Sequence, residues 1–101
     1  MQTADSQLVV GRFFDALYRL KADKVIRGKQ TFTSRYGINR WNMNKLEKEK
    51  ERDIFQAAWL TYLVRDYGVS ARWLLMGDGE FYDDNEKLKR NKLTAKEIGI
   101  R

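Results

Sequence analysis

The chain of 101 residues contains no cysteine, no histidine and no proline. Without cysteine it has no disulfide, thiolate nucleophile or zinc-thiolate site, and without histidine it lacks the usual general base and the commonest metal ligand. We therefore expect no enzymatic activity, no catalytic residue, no metal site, no cofactor and no small-molecule substrate.

Long apolar runs are also missing. No stretch approaches the roughly 18 apolar residues that span a bilayer, and the N-terminal residues lack the basic start of a signal peptide. We expect no membrane association and a cytoplasmic location.

Aromatic residues, in contrast, are plentiful, with three Trp, five Tyr and five Phe. They supply large side chains for one compact core, whereas a chain of this length is too short for two. One folded domain is expected.

Positive charge is concentrated in one part of the chain. The total is 20 Lys and Arg against 14 Asp and Glu, for a net charge of +6. Residues 19–45 hold eight basic residues and a single acid, Asp23, whereas residues 53–101 hold eight of each sign. Such a segment is typical of a surface that binds a polyanion, although a solvated basic surface has the same composition.

Apolar spacings predict five helices and no strand. The first helix spans about 6–21, and the residues predicted on its buried face are Leu8, Val9, Phe13, Phe14, Leu17, Tyr18 and Leu20. A fourth helix starts at about residue 53, ends near residue 68, and is expected to be the central buried helix. A fifth short helix follows Ser70 as its cap and ends at Gly77.

Between these lie two short helices, over 29–36 and from 40 to about 48, joined by Gly-Ile-Asn at 37–39. This turn supplies a glycine for the tight bend, an apolar residue to lock the helices together and an asparagine cap. The pair has the layout of a helix-turn-helix. Met43 and Leu46 are predicted to face the core, and the charged run that follows is expected to be an exposed helix end or loop without function.

The opposite side of the second short helix carries residue types that suit a DNA duplex. Arg40 can pair with guanine O6 and N7, and Asn44 with adenine N6 and N7. Trp41 either packs on a neighbouring helix or contacts a thymine methyl group. The predicted base-contacting residues are Asn39, Arg40, Trp41, Asn44 and Lys45. The predicted phosphate-contacting residues are Arg27, Lys29, Gln30, Arg35 and Lys48.

Two segments resemble a known family. The segment 29–47, KQTFTSRYGINRWNMNKLE, resembles the helix-turn-helix of the lambda-repressor-like (Cro and XRE-type) transcriptional regulators. The segment 67–80, YGVSARWLLMGDGE, is similar to the closing helix of that family. The resemblance covers about residues 7 to 82 and departs at Thr33, where the family usually has Ala, and at the bulky Trp41.

This resemblance implies an all-α, compact five-helix DNA-binding domain over residues 1–82, followed by a polar tail over 83–101 that is flexible or weakly helical. It implies that the recognition helix, about 39–48, enters the major groove of operator DNA and that the protein acts as a homodimer. The family's phosphate-contacting glutamine falls on Gln30.

We therefore expect sequence-specific binding of double-stranded DNA by a transcriptional repressor or regulator that occupies an operator. The alternative is a protein-binding adaptor that uses the same helical fold with little or no specific DNA binding, because fold does not fix function.

Overall fold

A computed structural model describes residues 3–83 of the chain, which form five helices and no strand. The helices are α1 (Ala4–Ala22), α2 (Lys29–Tyr36), α3 (Arg40–Lys48), α4 (Ala57–Tyr67) and α5 (Ala71–Met76). An isolated antiparallel bridge joins Val69 to Tyr82. The prediction of an all-α fold is confirmed for this part of the chain. The predicted polar tail lies outside the described residues, except for Asp83 at its start.

Local capping explains where most of the helices begin and end. Thr3, Asn39 and Ser70 precede α1, α3 and α5, and each side chain accepts a hydrogen bond from a backbone amide of the first turn. Gly37 and Gly68 end α2 and α4 with φ of 64° and 72°, a left-handed conformation that glycine adopts without steric penalty. Gly37, Asn39, Gly68 and Ser70 lie at the helix ends where the sequence predicted them. The helix α1 starts earlier than predicted, because Thr3 caps it.

The core is built around α1, not around α4 as predicted. Six residues of α1 are buried: Val10, Phe13, Phe14, Ala16, Leu17 and Leu20. The Phe13 ring contacts four other aromatic rings at centroid distances of 5.1 to 5.8 Å. In contrast, α4 starts at Ala57 and buries only Trp59, Leu63 and Tyr67. Ile54 and Phe55 pack against the core from the loop before α4.

The predicted buried face of α1 is confirmed at Phe13, Phe14, Leu17 and Leu20 and is wrong at two positions. Leu8 is 58% exposed and Tyr18 is 49% exposed, whereas Val10 and Ala16 are buried. At 3.6 residues per turn, Leu8 and Tyr18 lie on the side opposite to Phe13. Apolar character alone was a poor guide to the direction in which these two side chains point.

Arg12 holds α5 against α1. Its Nε donates to the carbonyl oxygen of Leu74 and its Nη2 to that of Leu75, both at 2.7 Å. The last carbonyls of a helix have no partner inside the helix, so a guanidinium at this end satisfies them and suits the helix dipole. This contact fixes the C-terminal end of α5 on the central helix.

The helices α2 and α3 meet at a small side chain. Thr33 is buried at the middle of α2, and its hydroxyl donates to the Gln30 carbonyl at 3.2 Å. The hydroxyl therefore has a partner although it lies in the interior.

None of the described helices is long and apolar enough to cross a membrane.

Candidate nucleic-acid interface

The helix α3 has one buried side and one exposed side. Met43 and Leu46 are almost completely buried, as predicted. The preceding turn places α3 directly after α2, with Ile38 packed against the core. The side of α3 opposite to Met43 and Leu46 is left open to solvent.

Arg40 and Trp41 stand on this open side, at the N-terminal end of α3. Trp41 is 66% exposed, so the interpretation that it packs on a neighbouring helix is wrong. Its nearest cation is Lys45, whose Nζ lies 6.0 Å from the ring centroid. Arg40 is also exposed and forms no ion pair with residues 3–83. A large apolar surface and a guanidinium are thus both available to a ligand.

Asn39 and Lys45 already have partners within the protein. The Asn39 Oδ1 accepts a hydrogen bond from the Asn42 amide at 2.9 Å, which leaves the NH₂ of its side chain as a donor. The Lys45 ammonium pairs with Glu49 at 2.7 Å. This hydrogen bond holds the pKa of the Glu49 carboxyl below its ordinary value. Both residues lie beside Arg40 and Trp41, but only part of their hydrogen-bonding capacity is open.

Lys29, at the start of α2, contacts α3 directly and is linked to α1 through Glu47. Its Nζ donates to the Asn44 Oδ1 at 3.0 Å and forms an ion pair with Glu47. The Tyr18 hydroxyl donates to the same Glu47 carboxylate at 2.5 Å. Burial opposes ionisation of Glu47, but the hydrogen bonds from Lys29 and Tyr18 outweigh it and hold the pKa of Glu47 below its ordinary value.

A cleft of about 210 Å³ lies between α2 and α3. It is lined by Lys29, Gln30, Thr33, Arg40, Met43 and Asn44. Four of these six residues are predicted DNA-contacting residues, so the fold brings the start of α2 and the exposed side of α3 to one surface. We call this surface the α2–α3 surface and define it by Lys29, Gln30, Arg40, Trp41 and Asn44.

The other predicted phosphate-contacting residues divide into two groups. Lys48 is exposed and Arg27 is partly exposed, and neither side chain forms an ion pair within the described part of the chain. Arg35 is turned towards α4 instead. Its Nη1 donates to the Tyr67 hydroxyl at 3.2 Å, and its Nη2 lies 3.9 Å from an Asp66 carboxylate oxygen.

The same Asp66 carboxylate accepts a hydrogen bond from the Tyr36 hydroxyl at 2.6 Å. Hydrogen bonds from Arg65 in the first place, and also from Tyr36, outweigh burial and lower the pKa of Asp66 to about 2. Burial and this hydrogen bond raise the pKa of Tyr36 far above its ordinary value. The guanidinium of Arg35 thus belongs to a polar cluster between α2 and α4 rather than to the α2–α3 surface.

Two residues of the site were not singled out from the sequence. Glu47 was assigned to a charged run without function, and Tyr18 to the core. The structure places both beside Lys29. One signal was available, because Glu47 follows Asn44 by three residues and residues three apart lie on the same side of a helix. No sequence pattern indicated that Tyr18 from α1 reaches the same point.

The chain has no significant match among protein-family models, curated proteins or solved structures.

Within residues 3–83, no group of three or more acidic side chains is placed to hold a metal ion. The α2–α3 surface offers cations, side-chain amide groups and one indole ring.

Proposed function

We propose that this protein binds double-stranded DNA sequence-specifically and acts as a transcriptional regulator, in the simplest case a repressor that occupies an operator. The observation that carries the proposal is the open side of α3. It presents Arg40, Trp41 and Asn44 to solvent, next to Lys29 and Gln30 from the start of α2. We further propose a lambda-repressor-like arrangement of the five helices, in line with the resemblance of segments 29–47 and 67–80.

The dimensions of α3 suit the major groove. Nine residues at 1.5 Å per residue give a helix about 13.5 Å long. Its diameter with side chains is about 10–12 Å, which fits a groove about 12 Å wide. With its N-terminal end against the bases, Arg40 is placed for the O6 and N7 of guanine. Trp41 adds an apolar surface for a thymine methyl group or a sugar. The exposed indole is then covered in the complex.

The polar residues near this helix serve a different purpose. In the proposed complex, Arg27, Lys29, Gln30 and Lys48 contact phosphates. Such contacts set the register on the duplex and add affinity that falls as salt rises. Sequence is read by Arg40, Trp41 and Asn44.

A two-fold repeated site is part of the proposal. One nine-residue helix reads only a few base pairs, and two copies related by a two-fold axis extend the site. The half-sites then lie about 34–36 Å apart, one turn of the duplex, or a multiple of it. The proposed state on DNA is a homodimer.

Selection of binding sites from a randomised duplex library tests the proposal. The full chain should enrich a two-fold symmetric motif, and the double variant Arg40→Ala plus Asn44→Ala should lose it while keeping its helical circular dichroism. Each good base contact contributes about 1–3 kcal/mol of discrimination, so the expected loss is large. If the wild-type chain enriches nothing above salt-sensitive background, the proposal is wrong, and an adaptor that binds a protein partner becomes the better hypothesis.

A further inference from the structure

Glu47 is an acid at the edge of a surface that is proposed to bind a polyanion. Simple electrostatics makes it unfavourable there, because a carboxylate near DNA phosphates is repelled. Its position is nevertheless well defined. It pairs with Lys29 from α2 and accepts the Tyr18 hydroxyl of α1, so three helices meet at one carboxylate.

The group it fixes is the ammonium of Lys29, and through it the side chain of Asn44. The Lys29 ammonium has only donors, and it donates to the Asn44 Oδ1 at 3.0 Å. The opposite orientation of the amide would point an NH₂ group at a cation. Lys29 therefore determines which end of the Asn44 amide faces outward, and that end is the NH₂ group.

An outward NH₂ group changes which bases Asn44 can read. Bidentate pairing with adenine needs both ends of the amide, with Oδ1 accepting from N6 and Nδ2 donating to N7. When Oδ1 is turned towards Lys29, the donor alone faces the groove. Its partners are the acceptors of the major-groove edge, which are guanine O6 and N7, adenine N7 and thymine O4, whereas cytosine presents only a donor. The two-bond adenine contact predicted from the residue type is thereby reduced to one bond from Nδ2.

We propose that Glu47 and Tyr18 are positioning residues for base recognition, which hold Lys29 on Asn44 so that Asn44 selects a base with a major-groove acceptor. The proposal rests on the proposed DNA-binding function. It makes Glu47 a determinant of specificity that touches no base, and it gives a role to an acid that lies beside a surface of positive charge.

The isosteric variant Glu47→Gln separates this role from plain repulsion. Removing one negative charge should strengthen binding to random duplex, since repulsion of the phosphates decreases. If Glu47 only repels DNA, base preference stays the same. If Glu47 positions Lys29, preference at the base pair read by Asn44 falls although general affinity rises. We expect that preference to fall roughly five-fold or more, the lower end of what one base contact discriminates.

Glu49→Gln is the matched control. It removes the same charge two residues further along, from a carboxylate that pairs with Lys45 and Arg52 and not with Lys29. It should raise affinity for random duplex to a similar extent and leave the base preference unchanged. Lys29→Met should change the preference at the same base pair as Glu47→Gln, because it frees the same amide. Tyr18→Phe should have a smaller effect in the same direction.

The experiment has two readouts. The first is site selection, with the base pair read by Asn44 identified as the one whose preference disappears in Asn44→Ala. A preference there for guanine, adenine or thymine over cytosine, reduced in Glu47→Gln and retained in Glu49→Gln, supports the proposal. A cytosine preference, or an unchanged preference in Glu47→Gln, overturns it.

The second readout needs no DNA. The ¹⁵N-edited NMR signal of the Asn44 side-chain amide should shift in Glu47→Gln and Lys29→Met but not in Glu49→Gln. An unmoved signal in the first two variants contradicts the positioning of Asn44. If the signal moves as expected but the wild-type chain selects no motif, the contacts exist in the free protein, and it is the proposed function, with the assignment of Asn44 to a base, that fails.

Discussion

Two arginines of α1 and α5 have side-chain partners within the protein, whereas two basic residues of α3 form no ion pair within the described part of the chain. Arg12 donates to two carbonyls at the end of α5, and Arg72 contacts Asp78 at 2.5 Å. Arg40 and Lys48 form no ion pair with any described residue. The same chemical group therefore stabilises the fold in one region and is left for a ligand in the other.

The helix ends sharpen this difference. Arg12 meets the C-terminal end of α5, where the helix dipole favours a cation, and Arg40 is the first residue of α3, where the dipole disfavours one. A guanidinium at a helix N-terminus is better placed when an anion approaches it. Net charge alone does not reveal this distinction, because both arginines add equally to the total of +6.

Among substitutions of charged residues, the largest effect on folding is expected for Arg12→Ala. It removes two hydrogen bonds of a charged group and leaves the Leu74 and Leu75 carbonyls without their partner. We expect the free energy of unfolding to fall by about 1–3 kcal/mol. Urea denaturation followed by circular dichroism measures this loss. In Arg40→Ala the free energy of unfolding should change by less than about 0.5 kcal/mol. If both variants lose the same free energy of unfolding, Arg12 and Arg40 do not differ in their contribution to the fold.

A smaller, pH-dependent effect is expected at Asp66, where Arg35 is engaged. The pKa of Asp66 is about 2 in the folded protein, below the ordinary value of 3.8. A lowered pKa stabilises the fold fully above about pH 4, and the stabilisation is lost as the pH falls through about 2. Thermal unfolding between pH 2 and pH 6 should therefore show a steeper loss at acid pH for the wild type than for Asp66→Asn. If the thermal stability of both proteins falls equally with pH, the Asp66 carboxylate is not held in its charged form.

The smallest effect on stability is expected for Trp41→Ala. Because the side chain is 66% exposed, the free energy of unfolding should change by less than about 0.5 kcal/mol. Trp59→Ala is the matched control, since Trp59 is buried, and its loss should be about 3–5 kcal/mol. Affinity for the selected duplex should nevertheless decrease in Trp41→Ala. A Trp41 variant as unstable as the Trp59 variant would place this indole in the core.

Local signals in the sequence were sufficient for α2 and α3. Gly37 and Asn39 mark the end of one helix and the start of the next, and both act as expected because caps depend on neighbouring residues. The apolar face of α1 was harder to predict. Leu8 and Tyr18 are apolar or aromatic, yet their direction depends on which neighbours pack against the helix, and that is a property of the whole fold.

The candidate site was predicted as a set of residue types but not as a set of contacts. Residues 29–48 contain most of the α2–α3 surface, and the outward direction of Arg40 and Trp41 follows from the burial of Met43 and Leu46. The link from Tyr18 through Glu47 to Lys29 joins residues 29 and 18 positions apart, so no short-range pattern contains it. Its effect on Asn44 required the assembled helices.

The most direct test of the account compares Arg40→Gln with Arg72→Gln. Both variants remove one positive charge from an exposed arginine near the start of a helix, so their net charges are equal. The measured quantity is the dissociation constant for the selected duplex at one fixed salt concentration. We predict that the dissociation constant rises roughly 5-fold to 150-fold in Arg40→Gln and less than about 3-fold in Arg72→Gln. Equal losses would mean that only net charge matters, and no loss in Arg40→Gln would contradict recognition of DNA through α3.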